Sequence, residues 1–110
     1  MKFAARIPTT GGAIQPFVPD PNAVFTIETT AHILDVPRRT ILVYYKHGLV
    51  SPATDPEDGG YCFTGETIGT MRRIESLRTI CGDDLPGIKL ILDLMNEVER
   101  LHSELRFLRA

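Results

Sequence analysis

The most restrictive feature of this 110-residue chain lies near its C-terminal end. Ile91, Val98 and Leu105 fall seven residues apart, and Leu94, Leu101 and Leu108 repeat that spacing three residues later. Apolar residues alternating three and four apart mark the a and d positions of a coiled-coil seam, so one helix with a continuous apolar stripe is expected there. Asp84 followed by Leu85-Pro86 opens it, because proline is tolerated in a first turn where its missing N–H had no intrahelical partner. About two and a half heptads are too few for a lone helix to hold in water. The stripe therefore needs cover, either from its own domain or from a second copy of the chain, and a homodimer is the expectation.

The remaining residues divide around that helix. Residues 1–24 hold four of the eight prolines and no countable helical or strand period, which predicts a flexible Pro/Gly-rich tail from which Phe17 and Val18 could dock. Residues 25–83 read as a folded domain and 84–110 as a dimerisation or docking helix. In the domain, Thr26 can cap a short helix over 27–34, with Glu28 in its first turn and Ile27, Ala31 and Leu34 at helical spacing. After Pro37 a second helix places Ile41, Tyr44 and Tyr45 on one face and stops at Gly48. Leu49-Val50 and Tyr61-Cys62-Phe63, on either side of the turn-rich Ser51–Gly60, predict two short strands of a hairpin wing. Thr64 caps a third helix that ends at Gly82, and Ile41, Leu49, Phe63, Ile68, Met71 and Ile74 make the expected core.

Several function classes drop out. No apolar run approaches the ~18–20 residues of a membrane span, and Lys2 and Arg6 precede no apolar stretch of signal-peptide length, so a cytoplasmic protein is expected. Cys62 and Cys81 read as free, partly buried thiols, and with only His32, His47 and His102 they offer no metal-ligand spacing. No nucleophile and base stand at a recognisable spacing, so neither catalysis nor a cofactor is expected. The net charge is −2, so affinity for nucleic acid would have to come from a local cluster of cations.

Two helices, a wing, a third helix and a seamed terminal helix follow one another in the order of the MerR-like winged-helix family, which residues 24–110 resemble. The stretches that carry the likeness are Arg39-Thr-Ile-Leu-Val-Tyr-Tyr-Lys-His-Gly-Leu49, Gly59-Gly-Tyr-Cys-Phe-Thr64 and Thr64-Gly-Glu-Thr-Ile-Gly-Thr-Met-Arg-Arg-Ile74. The resemblance implies a mainly α fold, a winged helix-turn-helix with a small two-stranded wing and a C-terminal coiled-coil-like helix. The chain departs from the family pattern where that pattern has arginines, at Leu42 in the second helix and Cys62 in the wing; Val43 stands in place of a tyrosine. In DNA-binding relatives those arginines hold phosphates and groove edges, work that needs a fixed cation with several donors.

Within the family the run from Asp84 to Leu101 is most similar to the chaperone-modulator proteins of the CbpM type. That likeness implies a regulator that binds a DnaJ-like co-chaperone through its J domain and damps its activity. The likeness carries no motif for that contact; the residues themselves offer an exposed Leu42-Val43 pair beside Tyr61 and Phe63 as the expected partner surface. The alternative is a dimeric transcription factor lacking an effector domain, which would bind duplex DNA through Arg38, Arg39, Lys46, His47, Arg72 and Arg73. Leu42 and Cys62 favour the protein partner, since replacing cations by apolar groups removes counterion-release affinity.

Overall fold

A computed structural model describes residues 19–109. The chain folds as β1 (Val24–Thr26), α1 (Ile27–Leu34), α2 (Arg38–Lys46), the single turn α3 (Pro56–Gly59), β2 (Cys62–Thr64), α4 (Gly65–Cys81) and α5 (Leu85–Arg109). It is a mainly α winged helix with a small antiparallel sheet and a long C-terminal helix.

Each start and stop has a local chemical cause. The Thr26 hydroxyl accepts a hydrogen bond from the Thr29 N–H (3.2 Å) to open α1, and Thr64 does the same for Thr67 (3.1 Å) at α4. Asp35 closes α1 in the left-handed region (φ 58°), a conformation that aspartate tolerates better than most residues. Gly48 (φ 76°) ends α2, where the N–H of Leu49 returns to the carbonyl of Tyr44 (2.9 Å). The Asp84 carboxylate accepts from the Gly87 N–H (3.1 Å) in the first turn of α5.

The sheet departs from the expected hairpin. β2 pairs antiparallel with β1, in the register Val24↔Thr64, Phe25↔Phe63, Thr26↔Cys62, and not with Leu49-Val50. Leu49 and Val50 are buried without strand pairing, and Pro52 just beyond them has no N–H to offer a ladder. The loop runs along β2 nonetheless, the Ala53 N–H donating to the Cys62 carbonyl (2.7 Å). The segment ahead of β1 is also built into the fold. Pro19 is buried, and Gly65 and Glu66 at the start of α4 donate to the carbonyls of Ala23 (2.9 Å) and Pro21 (3.2 Å). Residues 19–24 of the expected tail thus satisfy two donors that a helix start leaves open. Phe17 and Val18, also expected to dock, lie outside the described residues.

The core is the expected one, enlarged. Ile41, Leu49, Phe63, Ile68, Met71 and Ile74 are all buried, joined by Ile27, Tyr44, Val50, Leu85, Ile88 and Leu92. The last three belong to α5, so its first two turns are part of the winged unit. At roughly 100° per residue the line of Leu85, Ile88 and Leu92 lies about 150° around the helix from the seam line of Leu94, Val98, Leu101 and Leu105. Along the inward line the residues after Leu92 turn polar, through Glu99, Ser103 and Arg106, all exposed. The helix therefore leaves the domain after about two turns.

Candidate functional site

The outer face of α2 carries Leu42 and Val43, the departures from the pattern the sequence resembles, and its geometry follows from the helical period. Ile41 and Tyr44 point into the core. On the opposite side Arg39 and Lys46 form the crest, with Leu42 and Val43 flanking the line between them at roughly 50° to either side. Arg39 and Lys46 are exposed, Val43 is 39 % exposed, and Leu42 is half-buried against the core. On the Leu42 side, Tyr45 meets Tyr61 of the wing edge-to-face, ring centroids 5.5 Å apart at 66°. That contact closes the packing between α2 and the wing.

Of the four residues expected to form a protein-facing surface, Leu42, Val43 and Tyr61 retain accessible area and Phe63 has none. Phe63 pairs with Phe25 in the middle of the two-stranded sheet and faces the core, so its placement on the surface is corrected. Cys62 is half-buried in the same strand, and no thiol pairs with it. The expected cationic residues lie on two helices, Arg38, Arg39 and Lys46 on α2 with His47 just after it, and Arg72 and Arg73 on α4. Arg38 is drawn toward Glu28 (3.7 Å), His47 turns its Nδ1 to the Val43 carbonyl (3.0 Å), and Arg72 and Arg73 are half-buried on α4. Among the described residues, no cluster of three His, Cys, Asp or Glu side chains comes together to hold a metal ion.

A polar network that the sequence does not announce lies under this face. The buried Tyr44 hydroxyl donates to the Glu75 carboxylate on α4 and accepts from Arg78 Nη1 (3.0 Å), and Arg78 Nη2 reaches Asp83 Oδ1 in the α4–α5 turn (2.8 Å). Burial, followed by the hydrogen bond to Glu75, pushes the Tyr44 phenol up to about 12. Hydrogen bonding to Tyr44 and then Asp83 holds the Arg78 guanidinium more firmly protonated than usual. A buried tyrosine needs a partner for its hydroxyl, which is the only sequence signal that this network exists. Beside it, a cleft of about 200 Å³ is lined by Thr40, Val43, Tyr44, Arg78, Asp83 and Leu85.

The second exposed apolar surface is the seam of α5. Leu94, Val98, Leu101, Leu105 and Leu108 are exposed and Ile91 is half-buried. A groove of about 310 Å³ runs past Ile91, Leu94, Met95 and Val98. Beyond it Arg100 bridges Glu97 and Glu104 on its own helix, and the Glu97 carboxyl is held below its usual range by that hydrogen bond.

Comparison with known proteins bears on these surfaces. The profile of a family described as "MerR HTH family regulatory protein" matches residues 25–110. No curated protein matches the chain.

Proposed function

The chain belongs to the MerR HTH family of regulatory proteins, and from that premise we propose that it is a non-enzymatic regulator acting through a protein partner. The partner proposed is a DnaJ-like co-chaperone, bound through its J domain and damped by the contact, as in the chaperone modulators this chain resembles. The observation that carries the reading is the make-up of the outer face of α2. Its central positions are Leu42 and Val43, apolar and at least partly accessible, where a reader of phosphates needs cations with several donors. Tyr61, edge-to-face with Tyr45, extends the apolar area toward the wing. Aromatic and aliphatic side chains of this kind suit the centre of a protein interface.

The exposed seam of α5 supports a homodimer as the working form. Five apolar seam positions stand in water in the single chain, and each fully buried leucine-sized side chain contributes about 1.5–3 kcal/mol.

One observation favours the alternative, a dimeric DNA-binding regulator. Arg39 and Lys46 are exposed on the face of α2 that a groove-binding helix would use, and among the described residues neither has a carboxylate within ion-pair distance. The deciding experiment is calorimetric titration of the full chain with a purified J domain of a DnaJ-like co-chaperone and, separately, with duplex DNA at ~150 mM salt. The protein reading expects J-domain binding that Leu42→Asp and Val43→Asp each abolish while circular dichroism stays unchanged, since a carboxylate buried in an apolar contact lacks a partner. Tight, sequence-selective DNA binding with no J-domain heat overturns it.

A further inference from the structure

We propose that the crest of α2 docks an amphipathic helix whose acidic residues stand seven apart on either side of an apolar centre. The inference deepens the reading above, resting on its claim that the partner is a protein, and states the chemistry of the partner's contact.

The crest has a charge pattern with a definite length. α2 carries three cations, Arg38, Arg39 and Lys46, and no acid. Arg38, also exposed, is drawn to Glu28 (3.7 Å), whereas among the described residues Arg39 and Lys46 have no carboxylate within ion-pair distance. Seven residues of helix place them about 10.5 Å apart along the axis. Between them Leu42 and Val43 offer no hydrogen-bond donor, and the Tyr45–Tyr61 pair broadens the apolar centre on the Leu42 side. A surface of this form is cationic at both ends and apolar in the middle.

Its complement is a second helix laid along the crest. Acids at positions i and i+7 of that helix are also about 10.5 Å apart, and apolar residues at i+3 and i+4 fall on the same face between them. Either chain direction satisfies the match, because the pattern is symmetric about its centre. A phosphate backbone fits less well. It would meet two cations and then an apolar stretch that must lose water against charged oxygens without a donor in return.

The test uses the full-length chain and three fluorescent probes, read by anisotropy at ~150 mM salt. The first is a synthetic amphipathic helix with glutamates seven apart and two leucines between them; the second is the same peptide with lysine in place of each glutamate; the third is a short duplex DNA. The glutamate peptide is expected to bind at least about tenfold more tightly than its lysine twin, since it gains two rim ion pairs where the twin meets two like charges. In the double variant Arg39→Glu, Lys46→Glu the preference should invert, with circular dichroism confirming that these two exposed substitutions leave the fold in place. Leu42→Asp should weaken both peptides.

Equal binding of the two peptides, an unchanged preference in the charge-reversed variant, or displacement of the glutamate peptide by equimolar duplex DNA would each overturn the proposal. If the glutamate peptide binds selectively and a purified J domain does not bind at all, the crest stands as described and the named partner falls. If the J domain binds and the two peptides bind alike, the partner stands and the acidic-helix mode falls.

Discussion

Replacing Tyr44 by phenylalanine removes one oxygen and leaves the packing of the ring in the core intact, so it isolates what the buried network contributes. The hydroxyl serves two charged groups, donating to Glu75 and accepting from Arg78 (3.0 Å). Hydrogen bonds to charged groups contribute ~1.5–3 kcal/mol each when the group left behind stays dry. Here neither stays dry. The side chains of Glu75 and Arg78 keep 33 % and 34 % of their exposure, and they remain within 3.5 Å of each other, so both can turn to water and to one another. The expected loss is therefore near that of a single bond, about 1–2 kcal/mol, which for a domain of this size lowers Tm by roughly 4–16 °C. Thermal melts followed by circular dichroism read it. A second signature separates the hydroxyl from any packing change. Folding raises the Tyr44 phenol from 10.0 to about 12, so its contribution is complete below pH 10 and is lost as pH rises toward 12. The wild-type chain should thus lose stability between pH 10 and 12 more steeply than Tyr44→Phe, and near-ultraviolet titration should show a late phenol ionisation in the wild type that the variant lacks. Identical Tm values, or parallel alkaline limbs in the two proteins, would refute the network's role.

Gly65→Ala puts a Cβ 2.0 Å from the Asp20 carbonyl oxygen, so the 19–23 segment must shift off the start of α4; a destabilisation of about 1–3 kcal/mol in urea unfolding is expected. Leu101→Glu places a charge in the middle of the α5 seam, and sedimentation should show a dimer for the wild type and monomers for the variant; a wild type already monomeric at high micromolar concentration contradicts the seam's assignment. Leu42→Arg combined with Cys62→Arg restores cations on α2 and the wing, and should strengthen duplex-DNA binding with a log–log salt slope steeper by up to about 2, whereas no change would show that these positions do not face DNA.

What the sequence made legible depended on how many residues carried each signal. α1, α2, α4 and α5 each hold several apolar residues at helical spacing, and their caps at Thr26, Gly48, Thr64 and Asp84 are single residues with strong local chemistry. The sheet has strands of three residues, too short for a period of two to be counted. Leu49-Val50 and Val24-Phe25 look alike as β-formers, and only the third dimension decides that the second pair meets Phe63. For the same reason residues 19–23 look like tail. Their role lies in two carbonyls offered to the first N–H groups of α4, and a carbonyl has no side-chain signature. The departures at Leu42, Val43 and Cys62 are visible as residue types, whereas Phe63, expected both in the core and on the partner surface, is settled for the core by its place opposite Phe25 in the sheet.

The exposure of the seam has a consequence that neither surface carries alone. α5 has two apolar lines on nearly opposite sides, one sealed to the winged unit by Leu85, Ile88 and Leu92 and one running outward from Ile91 to Leu108. A helix that folded back along its own domain would use one line for both tasks. Because the lines are separate, a second copy in the proposed homodimer would cover the seam without displacing the inward line of Leu85, Ile88 and Leu92. The charges beside the seam do not choose a direction for that pairing. Glu97 and Glu104 occupy positions that would face His102 and Arg109 of a parallel copy, yet Arg100 on their own helix already engages both. Exposed ion pairs of this kind contribute ~0–1 kcal/mol each, so exchanging an internal pair for one across the interface gains little. In the proposed homodimer burial of the leucines would supply the affinity, and the direction of pairing would rest with how the two winged units clear one another.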